Sequence, residues 1–336
     1  GHKWFCSAPM SDAFLVLAQT DKGLSCYFMP RFLPDGTKNN IFIQRLKDKL
    51  GNRSNASSEI EFTGAWARMV GEEGRGVPTI IQMVNHTRFD CMIGSTALMR
   101  QALSQAINYT SQREAFGSKL TNQPLMQNVL ADLSIEAEAA MILMMRLARS
   151  YDEQDQGEEK QSFKRLATAV SKYWVCKRTP GYVFEALECL GGSGYVEESI
   201  LPRLYREAPV NSVWEGCGNV SCLDVFRAMA KEPQTVEVFV SELEQGIGSH
   251  ASLDAYIVEV KNDLMKKDFD PLLARRTVEK MALALQGSLM VQYAPSYMAD
   301  AFCDSRLAGN WGEVFGTLPS KVDFKKIVQR AAVSQH

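Results

Sequence analysis

The chain has 336 residues, 46% hydrophobic and 23% charged, with a formal net charge of −2 and a pI near 6.2. These proportions exclude a disordered or low-complexity chain and describe a globular protein with ample sequence for a sizeable core. The near-neutral charge gives no whole-chain attraction to nucleic acid or an anionic membrane, and no apolar stretch approaches the roughly 18–20 residues of a bilayer-spanning helix.

The opening Gly1-His2-Lys3-Trp4 has neither an initiator Met nor the apolar h-region of a secretory signal, as expected of a processed product or a fragment. Eight scattered cysteines without a CxxC pair read as reduced thiols of an intracellular compartment, with bacterial cytoplasm and mitochondrial matrix both open. Four histidines with no HxH or HExxH give no reason to expect a metal site.

Residues 1–76 read as part of an antiparallel β-domain. The runs Phe14–Ala18 and Leu24–Met29 flank the turn cluster Thr20-Asp21-Lys22-Gly23, which predicts a hairpin, and Pro30 with Pro34-Asp35-Gly36 stops the second strand. Ile41–Leu46 and Ser58–Phe62 are two further strands, and Gly1–Ser7 alternates aromatic and polar residues as a strand edge does. Four or five strands are expected in all.

From Val77 the period becomes helical, and residues 77–231 read as a bundle of four long helices. Apolar residues at Ile80, Ile81, Val84, Ile93, Ala97 and Leu98 predict a helix over Val77–Ser111, with Pro78 tolerated near its start. At 1.5 Å per residue it would span roughly 50 Å. A second helix is expected over Pro124–Ser150, and Tyr151–Lys160 is polar enough to predict a loop. Gln161–Leu190 is a third helix in which Pro180-Gly181 should produce a kink or a division, and Gly191-Gly192-Ser193-Gly194 ends it. Asn219–Ala230 is the fourth. The four suit an antiparallel bundle.

Residues 232–336 read as a helical extension, with segments Thr235–Gln245, Leu253–Lys267, Pro271–Met290, Ser296–Leu307 and Ser320–Ala332. From Lys231 onward it holds twelve Lys/Arg against fourteen Asp/Glu, which is not the balance of a basic nucleic-acid-binding domain.

Several short constellations could carry chemistry, each with a plain alternative. In Val213-Trp214-Glu215-Gly216-Cys217-Gly218-Asn219, desolvation by apolar neighbours would make Glu215 a competent base near neutral pH; the plain reading is an exposed glutamate helping to cap the next helix. In Leu190-Gly191-Gly192-Ser193-Gly194-Tyr195, glycines permit close approach to a phosphate or ring, although a helix C-cap is the default and no strand precedes it as a dinucleotide fingerprint requires. In Arg113-Glu114-Ala115-Phe116-Gly117, the arginine could clamp a pyrophosphate while Phe116 packs an adenine, or the segment is a polar loop with one buried aromatic anchor. Ser7 could offer a hydroxyl to a ligand, and Arg88 lies mid-helix, where a surface or interface role is the ordinary one.

The order and spacing of these stretches resemble the acyl-CoA dehydrogenase family over roughly residues 1–227. The matching segments are Gly1–Ser7, Lys49-Leu50-Gly51-Asn52-Arg53-Ser54, Gly71-Glu72-Glu73-Gly74-Arg75-Gly76, Arg113–Gly117, Leu190–Tyr195, Arg203-Leu204-Tyr205-Arg206-Glu207 and Trp214-Glu215-Gly216. The helical tail, Asn52-Arg53-Ser54-Asn55-Ala56-Ser57 and Thr87-Arg88-Phe89-Asp90 look like the AidB-like branch, associated with the bacterial alkylation response and with animal relatives resembling long-chain acyl-CoA dehydrogenases.

The resemblance implies an FAD enzyme with an N-terminal helical domain, a middle β-domain and a C-terminal four-helix domain, usually tetrameric, of which the N-terminal domain and the first part of the β-domain fall outside this sequence. It implies that Ser7 hydrogen-bonds the flavin near N5 and that Phe5 stands where many members have a flavin-packing tryptophan. Arg113, Phe116 and Gly117 would meet the pyrophosphate and adenine of a neighbouring subunit's FAD, with Gly191 and Gly192 lining that nucleotide. Cys217 and Asn219 stand where many members use Thr and Gln against the cofactor, Glu188 replaces a common Gln, and Arg88 falls on a helix lining the acyl-CoA site. Glu215 falls on the usual catalytic base. The position before Arg88, where some members place that glutamate, is Thr87, which cannot be a base.

The implied reaction removes the α-proton of a medium- or long-chain acyl-CoA thioester to Glu215 while the β-hydrogen leaves as hydride to flavin N5. The electrons would pass to an acceptor such as an electron-transfer flavoprotein. Two other functions compete, sequestration of acyl-CoA without efficient turnover and DNA association of the AidB-like kind.

Overall fold

The structure, a computed structural model, describes residues 1–153, 155–266 and 270–333. Contacts divide the chain into two compact units, with the boundary between Thr87 and Arg88. It is mainly α with small antiparallel sheets.

In the first unit, strands β1 (His2–Cys6), β2 (Ala13–Thr20), β3 (Gly23–Pro30), β4 (Ile41–Leu46), β5 (Ser58–Phe62) and β6 (Arg68–Val70) form two three-stranded sheets, ordered β1-β5-β4 and β2-β3-β6. The hairpin expected from the turn cluster is β2–β3, in unbroken register from Ala13↔Pro30 to Thr20↔Gly23. Strands β4 and β5 have the bounds expected of them. The short β6 is additional; three residues are too few for a periodic signal. Met29, Ile41 and Ile60 form the centre of a small apolar cluster.

Two polar side chains brace this unit. Buried Asn39 donates from Nδ2 to the Pro30 and Trp66 carbonyls, both at 2.8 Å, and accepts from the Trp66 N–H. Lys49 Nζ donates to the carbonyls of Asn52 and Asn55 and to Ser57 Oγ at 2.7–2.9 Å, so one ammonium organises the whole Asn52–Ser57 loop. The Gly71–Gly76 motif has a steric cause. Gly74 sits at φ +77 and donates its N–H to buried Ser25 Oγ at 2.8 Å, and a Cβ there would collide with the Lys22 carbonyl.

Helix α1 (Gly76–Gln112) crosses the boundary between the units. A two-stranded ribbon follows, β7 (Glu114–Ala115) and β8 (Ser118–Lys119), and then α2 (Pro124–Asp152), α3 (Glu158–Glu188), α4 (Gly192–Tyr195), α5 (Leu201–Glu207) and α6 (Gly218–Lys231). The predicted loop at Tyr151–Lys160 is shorter than expected, since α2 runs to Asp152 and α3 starts at Glu158; Gln154 lies outside the described residues. Stacking of Tyr151 on Phe89, with centroids 4.8 Å apart, ties that last turn of α2 to α1.

Pro180 does not divide α3. It removes one intrahelical donor, but Val175, Cys176, Thr179, Tyr182 and Val183 are all buried around it. Thr179 Oγ1 donates to the Val175 carbonyl at 2.8 Å, and tertiary packing outweighs the local penalty. Helix α5 gave no separate sequence signal, because seven residues are too few.

Beyond residue 231 lie α7 (Gln234–Glu244), α8 (Ala251–Leu264), α9 (Ala274–Tyr293), α10 (Ser296–Phe302) and α11 (Phe324–Ala331). The expected end of α8 at Lys267 lies outside the described residues. Pro271 heads a 3-10 turn rather than α9 itself, and Cys303–Leu307 is a π-helical turn where an unbroken helix was expected.

These helices share the bundle's core. Helix α9 packs on α2, α3 and α6, and α11 packs on α2. A buried ionic cluster fastens the tail. Asp132 on α2 accepts from Arg306, from Trp311 Nε1 at 3.1 Å and from the Gly316 N–H at 2.9 Å, while Glu136 accepts from Arg178 and Arg306. All eight cysteines are free thiols, and no described helix is long and apolar enough to cross a membrane.

Candidate functional site

The Glu215 segment is held by two cations from two helices. Lys172, on α3 and 1% exposed, donates from Nζ to the Trp214 carbonyl at 2.9 Å and to the Gly216 carbonyl at 2.5 Å. Arg88, on α1 and 4% exposed, donates from Nε to the Glu215 carbonyl at 3.0 Å. Three consecutive carbonyls are thus pinned from below. Arg88 is fixed in turn by buried Asp224 on α6 at 2.7 Å, and Asp224 also accepts from Arg165 at 3.0 and 3.1 Å.

Glu215 itself adopts φ +56, the left-handed region that costs a non-glycine residue of order 1–3 kcal/mol and persists only where the surroundings over-determine it. Gly216 follows at φ +101, where a Cβ would lie 3.0 Å from Val220 Cγ1. Burial pushes the Lys172 ammonium below the usual lysine range, and burial raises the neighbouring thiols, Cys91 to about 12 and Cys176 to about 11. Trp214 Nε1 is buried with no partner among the described residues.

Cys217 is the exposed N-cap of α6, and the nearby backbone N–H groups of Val220 and Asn219 at the helix start lower its thiol pKa. Asn219 Oδ1 accepts from Arg275 Nε of α9 at 2.9 Å, which brings the C-terminal extension to the start of α6. Gly191, at φ +57, and Gly192 both have open space where a side chain would stand.

The β7–β8 ribbon turns on Phe116 and Gly117, at φ +52 and +80, the two positive values of a type I′ hairpin. Asparagine or glycine ordinarily takes the first position, and a bulky aromatic there is a conformational outlier. The Phe116 ring is 95% exposed, so it is not the buried anchor of the plain reading, and Arg113 at the base of the ribbon is exposed too.

In the first unit, Phe5 and Trp4 stand out from β1, more than half exposed and edge-to-face with centroids 5.3 Å apart. Lys47 Nζ lies 3.7 Å from the Trp4 centroid and 4.5 Å from that of Phe5. Ser7, just past β1, is exposed.

Within the second unit, the structure therefore brings Glu215, Arg88, Cys217 and Asn219 together, with the Phe116 ribbon and the Gly191–Gly192 turn as separate exposed features. Four contributors escaped the sequence reading: Lys172, Asp224, Arg165 and Arg275. Lys172 had a readable signal, a lysine within the largely apolar run from Leu166 to Cys176. The other three acquire their roles only through contacts 56 or more residues distant.

The second unit thus holds a strained glutamate on a pinned glycine turn and, separately, an exposed aromatic ribbon. Residues 74–230 match the family described as acyl-CoA dehydrogenase, C-terminal domain, and most of the chain is similar to members of the acyl-CoA dehydrogenase family.

The chain is 47% identical to the putative acyl-CoA dehydrogenase AidB of Escherichia coli over 307 residues, 91% of this chain and 56% of that protein. The crystal structure of Caenorhabditis elegans ACDH-11 in complex with C11-CoA superposes with a TM-score of 0.82 at 27% identity, covering 100% of this chain and 58% of that one. The human mitochondrial short-chain specific acyl-CoA dehydrogenase is 29% identical over 66% of this chain and 52% of its own length. The AidB and ACDH-11 likenesses thus take in the helical extension, whereas the short-chain enzyme's is too short to cover it all. The chain spans about half the length of the curated relatives it matches.

Proposed function

We propose that this chain forms the base-bearing part of an FAD-dependent acyl-CoA dehydrogenase, with Glu215 removing the α-proton of an acyl thioester. The observation that carries this reading is Glu215 itself, a strained residue whose own carbonyl and both flanking carbonyls are fixed by buried cations, so that the backbone presents one carboxylate in one place. A general base needs that positional economy before it needs a tuned pKa.

The residues suit FAD, a long ligand with two flat ring systems and a pyrophosphate. The Phe116 face is exposed and held under strain, the Gly191–Gly192 backbone is open to close approach, and Trp214 Nε1 is a buried donor without a partner. In this reading Arg113, Phe116 and Gly117 hold the nucleotide of a neighbouring subunit within a homotetramer, and Gly191 and Gly192 line the same nucleotide. Cys217 and Asn219 hold cofactor at the head of α6, and Phe5 and Ser7 meet the flavin. When bound, FAD supplies the hydride acceptor for the β-hydrogen.

Arg88 lies on the acyl-CoA side. With its guanidinium committed to Asp224 and the Glu215 carbonyl, it shapes that pocket through the base's backbone. A medium or long acyl chain is the substrate we favour, in keeping with the C11-CoA bound by the worm relative. An electron-transfer flavoprotein is the acceptor that this chemistry calls for.

The test is an anaerobic titration of the full-length, FAD-loaded protein with acyl-CoAs of graded length. Bleaching of the flavin's visible absorbance supports dehydrogenation and ranks the substrates. A spectral shift without bleaching points instead to acyl-CoA sequestration.

A further inference from the structure

We propose that Lys172 is a positioning residue for Glu215, holding the base's backbone in place from both sides. The proposal rests on the reading of Glu215 as the base. A lysine buried in the middle of a long helix is an anomaly that needs a cause, because an ammonium removed from water must be solvated by the protein or discharged. Here the solvating groups are the Trp214 and Gly216 carbonyls, one on each side of Glu215.

Both carbonyls belong to a segment between helices, so no helical N–H claims them. Lys172 thus substitutes for the hydrogen bonding that the turn lacks, and its two bonds bracket the left-handed residue. The Arg88 bond holds the middle carbonyl and Lys172 holds the flanking two, with Ser221 Oγ of α6 adding a longer bond to the Gly216 carbonyl at 3.3 Å.

The groups acting on the ammonium come from three directions: Cys176 on its own helix, Cys91 and Arg88 on α1, and Glu215 on the turn. Both thiols are held neutral by burial and Arg88 is a second cation, so Glu215 is the carboxylate among these four groups.

The test uses Lys172→Met, which keeps the length of the side chain and removes charge and donors. Two readouts are followed on the full-length FAD-loaded protein: exchange of the acyl-CoA α-protons with deuterated water, which reads proton abstraction, and acyl-CoA affinity with FAD content, which reads binding. The expected result is a loss of about 100-fold in exchange rate, with acyl-CoA affinity and FAD content close to wild type. Lys172→Arg, which keeps charge and donors, recovers most of the rate.

Wild-type exchange in Lys172→Met would overturn the proposal, as would a loss of rate matched by equal losses of affinity and FAD content. If Lys172→Met does not fold, Lys172→Gln carries the same comparison. Glu215→Gln is the control: undiminished exchange there defeats the reading of the base itself, whereas a dead Glu215→Gln beside an unaffected Lys172→Met defeats only the role of Lys172.

Discussion

Arg88 Nε donates to the carbonyl oxygen of Glu215 at 3.0 Å, although 127 residues separate the two in the chain. The contact joins the first long helix of the bundle to the turn before its last, and it fixes the backbone of the proposed base rather than its carboxylate. Strain at Glu215 is therefore maintained by tertiary contacts, and this can be measured. Glycine adopts φ +56 freely and alanine does not. Glu215→Gly should be more stable than Glu215→Ala by about 1 kcal/mol in chemical denaturation, with both failing to reduce flavin. Equal stabilities would show that the turn relaxes when the side chain is lost.

Asp224 anchors the same assembly. Asp224→Ala leaves the buried Arg88 guanidinium without its carboxylate and should cost about 3–5 kcal/mol. Arg165 is partly exposed and its loss leaves the Arg88–Asp224 pair intact, so Arg165→Ala should cost only about 1 kcal/mol. Urea denaturation of the two variants checks the order.

The C-terminal extension is held by Asp132, which is fully buried and accepts from Arg306, Trp311 and Gly316. Asp132→Ala should cost about 3–5 kcal/mol and expose Trp311, shifting tryptophan emission to the red before the bundle itself melts. A single unfolding step with no early fluorescence change would show that tail and bundle unfold as one.

Glu136 gives the pH dependence. Burial pushes its carboxyl up, but Arg178 and Arg306 outweigh burial and hold it at about 2, against an ordinary value of 4.5. A depressed carboxyl contributes stability above its unfolded value, and that contribution is lost as pH falls toward the folded one. The melting temperature of the protein should therefore fall between about pH 4.5 and 2. Glu136→Gln should start lower and show a shallower decline over that window.

The bounds of β4 and β5, the β2–β3 hairpin and the long helices were legible because period and turn residues are local properties. The uninterrupted α3 was not, since what carries it through Pro180 is the burial of residues around the proline. Glu215 was legible as a candidate from its neighbours Trp214 and Gly216. Its left-handed backbone and the Lys172–Arg88 clamp were not, because they arise from helices that meet the turn only in the folded chain. The Phe116 ribbon illustrates the same limit: Phe116-Gly117 lacks the asparagine that announces a type I′ turn, and the exposure of the ring emerges only from the structure.

The most direct test of the central claim is the anaerobic rate of flavin reduction by acyl-CoA in the full-length protein and its Glu215→Gln variant, followed by stopped flow. The account predicts that the substitution lowers the rate by about 10²–10⁴-fold while leaving acyl-CoA binding nearly unchanged. Reduction of Glu215→Gln at the wild-type rate would contradict it.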